Sequence, residues 1–115
     1  MKPNFLTVSA GTGSLVLRGL ASPIRVNILQ LLHDRGKLNV NEISAALSLP
    51  QSTVAVNILT LEEAGLIETS SVRATKGNQK VCSAKYDEII VRFDTAEKDT
   101  RNNQIEVAMP LGLYT

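Results

Sequence analysis

The chain has 115 residues, 43% of them hydrophobic and 20% charged, and its 12 Lys and Arg against 11 Asp and Glu leave a formal net charge of +1. That length builds one core with a peripheral element or two rather than two full domains, and a near-neutral balance excludes a nucleic-acid footprint spread over the whole surface, so any such footprint has to be a local patch. Cys82 is the single cysteine, which excludes an internal disulfide and any multi-thiolate metal site within one chain.

No apolar run approaches the roughly 18 to 20 residues that a membrane span needs, and the N-terminus lacks the basic start and apolar core of a secretion signal. A cytoplasmic protein without membrane association is therefore expected. Residues 1–13 end in Ala-Gly-Thr-Gly-Ser, whose glycines and hydroxyls break periodicity, so they read as an N-terminal arm or loop with Ser14 available as a helix cap. A phosphate loop is excluded there, because neither a preceding strand nor a Gly-Lys-Ser/Thr ending is present. From Ser14 to Leu20 a short helix carries Leu15, Val16, Leu17 and Leu20 on nearly all its faces. Such a helix has to be covered by the core or by a second subunit, and these four residues are the candidates for dimerisation.

Ser22-Pro23 is a strong helix start, since Ser caps free backbone N–H groups and Pro fits the first helical position. The helix runs to about Arg35, burying Ile24, Ile28, Leu31 and Leu32, and Gly36 is placed to end it. His33 falls in its last turn, where the helix dipole favours it. Leu38 reads as a single bridge to a sheet. Asn39 with Glu42 three residues on is a capping box for a helix through about Leu47, with Val40, Ile43 and Leu47 inward. Pro50 prevents fusion with the next helix, which spans about Gln51 to Ala64, buries Val54, Ile58 and Leu61, and stops at Gly65.

Leu66 to Ala74 and Val81 to Tyr86 read as two strands, joined by a hairpin turn over Thr75-Lys76-Gly77-Asn78-Gln79-Lys80. Cys82, inside the second, is expected to be a buried structural thiol. Asp87 to Phe93 continues extended or turns into a short helix. Thr95 to Asn103 is a polar linker, and Ile105 to Tyr114 reads as a strand that joins a partner or opens a further domain of a longer protein. The expected fold is mainly α with a small β-hairpin wing: a winged helix-turn-helix with a three-helix core and an extra C-terminal strand segment. Its expected division is an arm over 1–13, the winged domain over 14–94, and a linker with strand over 95–115.

Four stretches occur in order: Leu20-Ala-Ser-Pro-Ile-Arg-Val-Asn-Ile-Leu-Gln-Leu-Leu, Asn41-Glu-Ile-Ser, Leu49-Pro-Gln-Ser-Thr-Val and Leu61-Glu-Glu-Ala-Gly-Leu-Ile. As a set they resemble the winged helix-turn-helix of ArsR-type transcriptional regulators, over roughly residues 15 to 86. The resemblance implies a homodimeric, sequence-specific repressor whose wing touches DNA beside the reading helix. Metal-sensing members carry cysteines at the start of the helix before the turn, whereas Asn39, Val40 and Asn41 stand here, so no metal is expected at that place. Members usually carry Ser-Arg-His after the Gln-Ser-Thr-Val stretch, whereas this chain has Ala55, Val56 and Asn57.

On this reading Gln51, Ser52, Thr53, Val56 and Asn57 face the bases of double-stranded DNA. Gln and Asn pair with adenine, Ser and Thr bond bases or phosphates, and Val56 meets a thymine methyl. Arg73, Lys76, Gln79 and Lys80 on the wing are expected at the phosphates, with Lys37 or Arg25 as a candidate further cation. The local basic patch is there, since Arg73, Lys76, Lys80 and Lys85 face only Glu68 between Leu66 and Tyr86. Apolar Val56 and Leu59 on the same helix keep an alternative open, a winged helix used as a protein-interaction or assembly module. A small-molecule effector is compatible with either and is not identified by any motif. One histidine, one cysteine and no convergent carboxylates nominate no catalytic centre or cofactor site, so no enzyme is expected.

Overall fold

The computed structural model describes residues 4–75 and 77–93. In chain order the elements are β1 (Phe5–Ser9), α1 (Ser14–Leu20), α2 (Pro23–Arg35), β2 (Leu38–Asn39), α3 (Val40–Leu47), α4 (Gln51–Glu63), β3 (Ile67–Ala74), β4 (Gly77–Ala84) and β5 (Glu88–Arg92). Helices followed by an antiparallel hairpin give the winged helix-turn-helix that the sequence leads one to expect.

Local chemistry sets the helix ends. Ser22 Oγ accepts the Arg25 N–H at 3.4 Å with Pro23 at the first helical position, and α2 stops at Gly36, whose φ is +85°. At α3 the capping box is complete: Asn39 Oδ1 accepts the Glu42 N–H and Glu42 Oε1 accepts the Asn39 N–H, both at 2.8 Å. Two orphan donors are thereby satisfied reciprocally. Ser14, expected as a cap, is instead the first helical residue of α1. Gly13 takes the cap position and, having no side chain, makes no cap bond; its N–H donates to Ser9 O at 2.7 Å in the turn that follows β1.

The core is one cluster. Ile28 and Leu32 of α2, Ile43 of α3, Val54, Ile58 and Leu61 of α4, then Leu66, Ile67 and Cys82 are buried together with Val16 of α1. Ile24, Leu31, Val40 and Leu47 pack around its edge, half-buried. Burial pushes the Cys82 thiol up from its ordinary pKa.

Two sheets flank the helices. The first has order β2-β4-β3, with β4 antiparallel to both neighbours: Leu38 faces Cys82, Asn39 faces Val81, and the wing runs from Ile67↔Ala84 to Ala74↔Gly77. The hairpin turn is thus shorter than the expected six residues. Gly77, at φ +95°, already belongs to β4 and Asn78 pairs with Arg73, so the Gly-Asn composition marks the beginning of a strand.

The second sheet corrects the reading of the N-terminus. Phe5–Ser9, expected as arm or loop, is a strand paired in parallel with β5, from Phe5↔Glu88 to Ser9↔Arg92. Leu6 and Val8 turn toward the core together with Ile89, while Phe5 and Ile90 face outward. This pairing also decides the open question over Asp87 to Phe93, which is extended. His33 in the last turn of α2 meets Asp87, with Nε2 2.9 Å from Oδ1, and Asp87 Oδ2 accepts the Asn4 N–H at 2.8 Å. Lys76 and the segment 94–115, including the expected linker and the strand at Ile105 to Tyr114, lie outside the described residues.

Candidate nucleic-acid interface

Helices α3 and α4 meet at 115° across the Ser48-Leu49-Pro50 corner, within the range of about 90–120° for a helix-turn-helix. The corner is held internally. Ser48 takes a left-handed φ of 56°, the Leu49 N–H donates to Ser44 O at 3.1 Å, and Ser44 Oγ donates to Leu49 O. Because Val54, Ile58 and Leu61 all turn to the core at 0% exposure, the opposite face of α4 has to look outward. It carries Gln51, Ser52, Ala55, Val56 and Leu59, all exposed.

The expected base-facing residues do not share one environment. Gln51 and Ser52 stand exposed and Thr53 half-buried, and among the described residues their side chains have no hydrogen-bond partner. Val56 is 65% exposed. Asn57 is half-buried and engaged at both ends of its amide: Oδ1 accepts from Arg25 Nη1 at 2.9 Å and Nδ2 donates to Thr53 O at 2.8 Å. The cationic partner fixes which end of the amide is the oxygen, since the guanidinium has only donors.

The wing is likewise divided. Arg73 is exposed near the turn and makes no ion pair among the described residues. Gln79 Oε1 accepts from Asn39 Nδ2 at 3.1 Å, which joins the wing to the start of α3. Lys80 Nζ lies 3.2 Å from Glu62 Oε1, and Thr69 Oγ1 donates to Glu62 Oε2 at 2.6 Å. The Thr69 bond, followed by Lys80, holds the Glu62 carboxyl below its ordinary pKa. Lys80 is thereby tied to the last turn of α4 rather than projecting alone.

Of the proposed dimerisation residues on α1, Val16 is buried and Leu20 half-buried, while Leu15 and Leu17 are exposed at 54% and 37%. Among the described residues no group of three or more His, Cys, Asp and Glu is arranged to hold a metal ion. No single helix there is long and apolar enough to cross a membrane.

The architecture and its motifs have known counterparts. Residues 22–69 match the family of bacterial regulatory proteins described as arsR. Those residues therefore form a helix-turn-helix similar to that of the ArsR family. Solved structures of similar shape include the transcriptional repressor PagR of Bacillus anthracis, 26% identical over 64% of this chain and 79% of that one, with a TM-score of 0.55. Reduced HlyU from Vibrio cholerae is 27% identical over 67% of this chain and 77% of that one, TM-score 0.56. The homodimeric winged helix-turn-helix DNA-binding domain Mb0332 from Mycobacterium bovis is 27% identical over 62% of this chain and 61% of that one, TM-score 0.54. No curated protein matches the chain. Within this winged helix-turn-helix, α3 and α4 are the helix-turn-helix pair and β3–β4 is the wing.

The arrangement of Arg25 was not anticipated. A cation in the first turn of α2 sits at the positive end of the helix dipole. That mismatch was the available signal that Arg25 has a dedicated partner.

Proposed function

We propose that the protein is a sequence-specific, DNA-binding transcriptional regulator, a repressor that acts as a homodimer, with α4 in the major groove and the wing on phosphates. The observation that carries this reading is the outward face of α4. Gln51, Ser52 and Thr53 stand at its N-terminal end without internal partners, beside apolar Val56. Those groups match base edges and a thymine methyl, each good bidentate contact being worth about 1–3 kcal/mol of discrimination. Arg73, with Lys76 three residues on in sequence, supplies phosphate charge on the wing, and exposed Leu15 and Leu17 supply an apolar surface for the second copy. The family match and the homodimeric neighbour support both statements.

Fluorescence anisotropy with the gene's own upstream DNA, titrated at several salt concentrations, tests it. Tight binding that weakens steeply with salt and is lost in the double variant Gln51→Ala, Ser52→Ala supports a sequence reader. Flat curves at every salt refute it. A second reading, a protein-interaction module, draws on Leu59, which is 51% exposed one helical turn from Val56 on the same face. Retention of DNA binding by Leu59→Ser would count against that alternative.

A further inference from the structure

Arg25 spans three elements. Its Nε donates to Gly19 O at 3.0 Å and its Nη2 to Arg18 O at 2.9 Å, closing the carbonyls in the last turn of α1. Its Nη1 donates to Asn57 Oδ1 at 2.9 Å on α4, and its backbone starts α2 at the Ser22 cap. The planar guanidinium fixes all three directions at once, which a lysine ammonium does not. A second contact joins the same two helices: a Cβ added at Gly19 of α1 would lie 3.1 Å from Ala64 Cβ and 3.0 Å from Leu66 Cδ1. Helix α4 is therefore held against α1 near its middle, at Asn57, and at its C-terminal end, at Ala64. Seven residues separate these points along the chain, about 10 Å of helix. Two anchors that far apart fix the tilt as well as the position of α4 relative to α1.

We infer that Arg25 and Asn57 are positioning residues that set the angle of the reading helix against the dimer helix, so that neither is a DNA contact. This inference rests on the DNA-binding homodimer reading given above. In a two-fold complex the separation of the two reading helices dictates the half-site spacing. If α1 carries the dimer contact, the α1–α4 mount is the part of each subunit that sets that separation. Arg25 is removed from the phosphate contacts that its charge suggests, because its guanidinium is spent on two carbonyls and an amide. Asn57 is removed from base reading, because its oxygen faces Arg25 and its nitrogen faces Thr53 O.

The test takes the upstream fragment bound by the unaltered protein, together with a copy carrying one base pair inserted between the half-sites. Affinities are measured over a salt series for the unaltered chain, Arg25→Ala, Asn57→Ala and the double variant. Thermal melts verify folding, and Asn57→Ala keeps the experiment informative if Arg25→Ala does not fold. The expected result is a loss of about tenfold in affinity for the native fragment in either single variant, equivalent to losing one charged hydrogen bond. The double variant falls no further than the worse single one. Discrimination between the two spacings shrinks in every variant, and the salt dependence keeps its slope. A slope reduced by about one in Arg25→Ala would make Arg25 a phosphate ligand and overturn the inference. So would an Asn57→Ala protein that relaxes preference at a single base pair with spacing discrimination intact. Failure of the unaltered chain to bind any fragment would instead refute the DNA-binding reading itself, and the inference with it.

Discussion

Glu62 shows how one side chain ties the wing to the helix that it flanks. Its carboxylate accepts from Thr69 Oγ1 at 2.6 Å and pairs with Lys80 at 3.2 Å, joining the last turn of α4 to both strands of the hairpin. Both partners favour the ionised form, so its folded pKa lies below the ordinary 4.5. A depressed carboxylate stabilises the fold fully above its unfolded pKa and loses that contribution as pH falls through the folded one. The melting temperature is therefore expected to drop as pH is lowered from about 4.5, and to drop less in Glu62→Gln; equal acid slopes in the two proteins would refute the assignment. Cys82 offers a second check. It is fully buried and burial raises its pKa, so the thiol is both shielded and protonated. In the native protein it should react with a chromogenic disulfide only as fast as the chain opens, and denaturant should restore full reactivity. Neither arrangement was readable from the sequence in detail. The strand position of Cys82 announced burial, but the Glu62 pairing depends on strand register, which composition does not specify.

Among elements, the four helices and their ends were the most legible, because the information is local. Ser22-Pro23, the Asn39/Glu42 capping box and Pro50 each act within one turn of the position they mark. The apolar spacing of α4 likewise identified Val54, Ile58 and Leu61, and all three are fully buried. Ile58→Ala should cost about 2–5 kcal/mol, read as a lower denaturant midpoint. Contacts between elements were harder to see. Gly19 carries no local pattern that marks it, yet it is the point where α1 approaches α4. Alanine at that position gains roughly 0.5–1 kcal/mol of helix propensity, while the added methyl meets the fixed Ala64 Cβ at 3.1 Å. Overpacking of that kind costs about 1–3 kcal/mol. Gly19→Ala is thus expected to be net destabilising by urea denaturation, and an unchanged or higher midpoint would mean that α1 shifts without strain. The candidate site was legible to the same degree. Gln51, Ser52 and Val56 fell on the outward face, whereas the engagement of Asn57 by Arg25 spans 32 positions and left no local pattern.

At the scale of the molecule, the pairing of β1 with β5 brings together segments from opposite ends of the described chain. Five residues with Leu6 and Val8 as the alternating apolar pair are too few to announce a strand, and the partner of Asn4 lies 83 positions away. That sheet is also physically distinct from the rest. It has two strands, and none of its residues is fully buried; Leu6, Val8 and Ile89 only rest against the rim of the core. A two-stranded sheet is marginal by itself. Its attachment adds the Asn4–Asp87 bond and the Asp87–His33 contact, which are exposed and correspondingly weak. The sheet should therefore open at a lower free energy than the helices, as a separate unit of local unfolding. Native-state hydrogen exchange would show this as weaker protection of β1 and β5 amides than of those around Ile58. In the double variant Leu6→Ser, Val8→Ser, protection of β5 should disappear while α4 keeps most of its own. If protection in α4 fell in step with β5, the N-terminal strand would instead be part of the same cooperative unit as the helix-turn-helix.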